Sequence, residues 1–185
     1  MDPFFITAQI LGLVALGTGM TSMLLKSMVG VLILQIASNL AMCLNFAFLG
    51  AFSGAGVSIV ATIHSFVIFL FQRKNKPFPK ALTALFIVVY VAVSLLSYSM
   101  PLDLLCTVGA ILFCFSVVQS KSSGFRLFAM LNTATWITYD LTTMAYTASL
   151  THVVLFLTSL ISIIRLDREE WKAFFAKILP LKRKS

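Results

Sequence analysis

The chain is a succession of apolar runs, each long enough to form a helix across a bilayer and each closed by a short hinge. About 20 apolar residues at a rise of 1.5 Å cover the ~30 Å hydrocarbon layer. Lipid offers the backbone no hydrogen-bond partner, so continuous runs of this kind must be helical. The sequence predicts seven such spans: Phe5–Leu24, Met28–Leu49, Phe52–Phe71, Ala81–Ser97, Leu102–Val118, Phe125–Met144 and Thr147–Leu166. The hinges are Lys26-Ser27, Gly50 to Gly56, Arg73 to Pro79, Pro101 with Asp103, Ser120 to Gly124, and Tyr146 to Ser149. Composition removes the alternatives, because 59% of the 185 residues are apolar and only 11% are charged. A soluble domain carries about 25% charged residues, and one of this size has no core large enough to hide so much apolar surface. That excludes an ordinary soluble enzyme, a disordered tail and a nucleic-acid-binding domain.

The net charge of +8 is explained by topology. With seven crossings, alternate loops share a side. One side then holds Lys26; Arg73, Lys74, Lys76 and Lys80; Lys121 and Arg126; and everything from Arg165 onward, which is all 14 basic residues. The other side holds only Asp2 and Asp103. Basic loops face the cytoplasm, so the N-terminus is expected outside and the C-terminus inside. Met1-Asp2-Pro3 lacks the basic region and cleavage site of a signal peptide, so the first run is expected to stay as a span. After the last span, Trp171, Phe174, Phe175, Ile178 and Leu179 recur at helical spacing, with Lys172 and Lys177 off that stripe. The segment 167–185 reads as an amphipathic, basic helix lying on anionic lipid, or as a docking site for a cytoplasmic partner.

An internal repeat organises the spans. Ala51-Phe-Ser-Gly-Ala55 lines up with Ala145-Tyr-Thr-Ala-Ser149, and Lys26-Ser27 with Lys121-Ser122, at nearly the same offset. Gly12 and Gly109 stand at comparable depth in spans one and five. The expected units are a triple-helix bundle over 5–71, a linker helix over 81–97, a second bundle over 102–166 and the tail 167–185. Two bundles joined directly would have opposite orientations. One extra crossing makes them parallel, with a pseudo-two-fold axis along the membrane normal.

Four short motifs carry a resemblance to a known family. They are Ala8-Gln9-x-x-Gly12, Leu49-Gly50-Ala51-x-x-x-Ala55-Gly56, Trp136-x-x-Tyr139-Asp140 and Ile163-Ile164-Arg165. With them the chain resembles the bacterial inner-membrane YgjV-type family over about residues 6–168. The 3+1+3 pattern is more distantly similar to the SWEET and PQ-loop transporter superfamily. The resemblance implies a SWEET-like fold in the bacterial inner membrane, and no activity comes with it. Unlike SWEET bundles, this chain has no proline inside spans one, two, six or seven.

An ionisable or polar group at membrane depth is costly unless paired or hydrated. Asp140 sits about 7–8 Å below the outer end of span six at helical rise, with His152 at matching depth on span seven and Asn45 on span two. On span six, Asn132, Thr135, Trp136, Tyr139, Asp140 and Thr143 share a face; span two offers Gln35, Asn39 and Phe46. The two faces together would line a small cavity, with Trp136 and Tyr139 as stacking surfaces and Asn39 and Asn132 as hydrogen-bonding groups. His64 on span three would stand at its inner mouth. Each also has a plainer reading, since Asn, Gln and Thr serve as packing glue between membrane helices, and Asp140 with His152 would make a static pair.

Cys43, Cys106 and Cys114 lie inside apolar runs without metal-like spacing, so neither a disulfide framework nor a metal site is expected. No phosphate loop, metalloprotease motif or nucleophile elbow is present in the sequence, and Asp140 has no carboxylate companion at its depth, so neither an enzyme nor a cofactor is expected. The expected function is binding or passive passage of a small polar solute along the axis between the bundles. The alternative is a non-transporting membrane scaffold or regulator that docks a partner or lipid through the C-terminal helix. Self-association is compatible with either.

Overall fold

The computed structural model describes residues 3–50, 52–96, 103–142 and 146–170. These residues form seven helices, with 168–170 again helical, and contain no strand. They are α1 (Pro3–Leu24), α2 (Met28–Phe48), α3 (Phe52–Arg73), α4 (Lys80–Leu96), α5 (Asp103–Val117), α6 (Ser122–Thr142) and α7 (Tyr146–Leu166). Four stretches, Phe4–Leu24, Met28–Phe48, Gly54–Arg73 and Ala148–Leu166, are long and apolar enough to cross a membrane. The helices α4 and α5 are shorter apolar helices. The amphipathic stripe from Trp171 onward lies outside the described residues.

The helix ends follow local chemistry. Ser27 caps α2, its hydroxyl accepting from the Gly30 N–H. Gly50, at φ +73°, turns the chain from α2 into α3, a backbone region where a side chain would be strained. Pro77 and Pro79 end the linker after α3, and the Pro79 carbonyl accepts from Leu82 to open α4. Most boundaries shift from the sequence reading by one or two residues, and one by three. The helix α6 starts at Ser122 instead of Phe125, because the Lys121 carbonyl already accepts from the Phe125 N–H. Arg126 is therefore within the helix and not in a loop.

Consecutive helices pack side by side, and the ends of the series also meet, α1 against α7 and α3 against α5. The result is a closed ring in the order α1, α2, α3, α5, α6, α7, with α4 packed on α3 and α5. The outer face is apolar: Ile10, Leu13, Leu85, Val88, Leu150 and Ile164 are among many exposed large side chains. An apolar surface so extensive on a monomer marks contact with lipid or partners.

Polar side chains lie inward and stitch neighbours together. On α1 and α2, Asn45 Nδ2 donates to the Ala8 carbonyl at 2.6 Å, Ser38 Oγ to the Ala15 carbonyl at 2.9 Å, and Gln35 Nε2 to Ser22 Oγ at 2.7 Å. Ala8, Ala15 and Ser22 are spaced by seven, two turns each, so the three bonds run down one seam. Without a hydrophobic force between helices in lipid, such bonds and small residues make the contact. Gly19 fits this seam, where a Cβ would press on Leu155 of α7 at 3.1 Å and on Ser38 of α2 at 3.2 Å.

One end of the ring gathers the C-terminal end of α1, the start of α6 and the chain beyond α7. Arg126, fully buried, donates from Nε to the Met23 carbonyl at 2.7 Å, from Nη2 to the Leu25 carbonyl, and from Nη1 to Asp167 Oδ1. Nearby, Gln72 at the end of α3 donates to the Gln119 carbonyl beyond α5. Ser123 donates to Glu170, and Lys121 lies 3.7 Å from the same carboxylate. Lys26, Arg73, Lys74 and Lys121 follow or flank these helix ends, so the basic loops sit at one end of the molecule.

Candidate functional site

Within the ring lies a cavity of about 90 Å³ to which all seven helices contribute, room for roughly six to nine waters at 10–15 Å³ each. Its polar lining is Gln35, Ser38 and Asn39 on α2, Ser58 on α3, Asn132 and Thr133 on α6, and Thr151 and His152 on α7, with Tyr90 reaching in from α4. Met42, Phe46, Phe113, Trp136 and Leu155 supply the apolar walls. Among the described residues no charged side chain lines it.

Two amides in that lining are incomplete. Asn39 Nδ2 and Asn132 Oδ1 are buried and have no hydrogen-bond partner among the described residues. One is a donor and the other an acceptor, on helices α2 and α6. A buried polar group left unmet costs about 1–3 kcal/mol, so the cavity is chemically suited to something that answers both.

Trp136 and His152 form a flat wall, rings nearly parallel at 5.8 Å between centroids, and Tyr139 meets Trp136 edge-on at 5.7 Å. Gly109 on α5 makes this possible. A Cβ there would lie 2.9 Å from both Thr135 Oγ1 and Trp136 Nε1, so only glycine lets α6 bring its indole this close.

The structure thus brings Asn39, Asn132, Trp136 and His152 together around one space. Tyr139 packs behind Trp136 and is half-buried. Asn45 stands elsewhere: its amide is spent on the Ala8 carbonyl in the α1–α2 seam. Asp140 lies in α6, four residues after Trp136, and its side chain is outside the described residues.

His64 does not line the cavity. It is fully buried, stacked on Phe86 at 4.0 Å, with Tyr90 Oη 3.5 Å from Nδ1 and Cys114 Sγ 4.0 Å from Nε2. Its link to the cavity is indirect, through Tyr90. Cys43, Cys106 and Cys114 form no disulfide, and no group of three metal-ligating side chains occurs among the described residues.

Sequence reasoning passed over Ser58, Thr133 and Thr151 in the lining, and Arg126 at its end. Small hydroxyls in an apolar helix bond their own backbone and give no pattern; Thr133, for instance, donates to the Met130 carbonyl. Arg126 carried the only usable signal, a guanidinium followed by unbroken apolar residues.

A bundle of helices with an apolar outer face, four of them long and apolar enough to cross a bilayer, defines a multi-pass membrane protein. The family model for bacterial inner membrane proteins, Imp-YgjV, matches residues 6–170, and the chain belongs to that family. No curated protein and no solved structure matches it.

Proposed function

We propose that this inner-membrane protein binds a small, uncharged polar solute in the central cavity and lets it pass along the axis of the ring. The observation that carries the reading is the pair of unanswered amides, Asn39 Nδ2 and Asn132 Oδ1, on two residues that line the same cavity. Lining without charge favours a neutral solute, since an ion there would lack a counter-charge. The wall of Trp136 and His152 offers flat apolar surface beside the amides, the usual combination in small-molecule sites. Tyr139 and Asp140, three and four residues along α6 from Trp136, extend this reading toward the other end of the ring.

The architecture in this reading is two parallel triple-helix bundles joined by α4, a 3+1+3 plan of SWEET or PQ-loop type. Its support is the order of packing. In such a plan a two-fold axis through the ring would exchange α1, α2, α3 with α5, α6, α7, and would turn the observed α3–α5 contact into the observed α7–α1 contact. Arg126 also brings the start of α6 level with the end of α1, so α1 and α5 run the same way. With seven crossings and the basic end in the cytoplasm, the N-terminus is outside.

The test is a thermal-shift screen of the purified protein against neutral sugars, amides, nucleosides and polyols. A solute that raises the melting temperature of the native chain, and not that of Asn39→Leu/Asn132→Leu, supports the site. A solute that shifts both equally binds elsewhere. If nothing shifts the native chain, the cavity is a packing defect and a scaffold role gains.

A further inference from the structure

At the basic end the cavity is bounded by Met23 on α1 and Ala129 on α6. Arg126 lies one turn beyond Ala129, and its Nε holds the carbonyl of Met23, so one residue both lines the cavity and anchors the guanidinium. No side chain in the described residues is both larger and as fully buried. We propose that Arg126 and Asp167 form the closed gate between the cavity and the basic end of the ring, a reading that rests on the cavity being a place solutes reach.

The geometry fits a closure more than a rivet. Three separate stretches converge on this one guanidinium: the end of α1 by the Met23 and Leu25 carbonyls, the start of α6, and the chain after α7 by Asp167. Asp167 Oδ2 is buried with no partner among the described residues, so the closed arrangement leaves an acceptor unmet. Once Asp167 lets go, a lone guanidinium cannot stay dry. Water must follow it to within one turn of Ala129, and the floor of the cavity opens. The neighbouring Lys121–Glu170 pair is exposed and 3.7 Å apart, so it adds little to the closure.

Trp136 is a built-in reporter, because the only other tryptophan is Trp171. The chain carrying Trp171→Phe is reconstituted in vesicles of known orientation, and acrylamide is added to one side to quench Trp136. With the pair intact, quenching from the basic end is weak. In Asp167→Asn it rises several-fold from that end and stays unchanged from the opposite end. Should Asp167→Asn not give a monodisperse helical protein, Arg126→Lys carries the same test, keeping the charge while losing the fork that spans Met23, Leu25 and Asp167. A folded variant that quenches like the intact chain, or one whose quenching rises equally from both ends, overturns the gate. Quenching needs no bound solute, so an empty thermal-shift screen refutes the solute reading and leaves this result standing, and the reverse holds as well.

Discussion

Arg126 and Asp167, forty-one positions apart in sequence, form a buried ion pair at 2.5 Å, with side chains 0% and 6% exposed. Removing one partner of such a pair strands the other charge in a dry interior and costs about 3–5 kcal/mol. Arg126→Ala and Asp167→Ala are each expected to destabilise the protein by that order. The double variant should lose less than the sum of the two, because no charge remains stranded. Unfolding in detergent of the four chains checks the cycle; simple additivity would mean that the two side chains are independent.

Asn45 contributes to the α1–α2 seam and not to the cavity. Hydrogen bonds between membrane helices average about 0.6 kcal/mol and reach about 1.7 kcal/mol. Asn45→Ala is expected to lower stability within that range and to leave the affinity for any solute found in the screen unchanged. A solute titration of the purified variant reads both quantities from one preparation. Loss of binding at full stability would put Asn45 in the site.

Gly109 is placed against Trp136 so tightly that a methyl group would need space already filled, 2.9 Å from Trp136 Nε1. Overpacking of this kind costs about 1–3 kcal/mol. Gly109→Ala should therefore be less stable and should displace the indole, shifting Trp136 emission in the Trp171→Phe background. An unshifted spectrum would mean that the α5–α6 approach is looser than 2.9 Å implies.

His64 is buried between Phe86, Tyr90 and Cys114. His64→Ala leaves a void there, and large-to-small changes in cores cost about 2–5 kcal/mol. The expected outcome is a markedly lower melting temperature with solute affinity preserved in the protein that remains folded. A variant that keeps its stability and loses binding would move His64 from the core to the site.

The helices were legible because apolar runs of membrane-spanning length leave few alternatives, and Met28–Leu49 in the sequence reading is Met28–Phe48 in the structure. Side-chain destinations were less so. Asn39 and Asn45 lie on one helix, and helical register separates their faces by about 120°. Which face meets α1 and which meets the cavity depends on neighbours that span two alone does not reveal. Arg126 was hidden for a different reason. A basic residue near a helix start is explained well enough by topology, and nothing local marks Asp167 as its partner. His64, placed at the cavity mouth by depth alone, is turned by α3 toward α4 and α5 instead.

Uptake into vesicles most directly tests whether the axis of the ring carries a solute. Vesicles containing the native chain are exposed to a mixture of neutral polar solutes, and their contents are measured against empty vesicles and against Asn39→Leu/Asn132→Leu. Saturable entry of at least one solute through the native chain, abolished in the double variant while the variant stays folded, is the predicted result. Entry no faster than into empty vesicles, or equal entry through the double variant, would contradict the account.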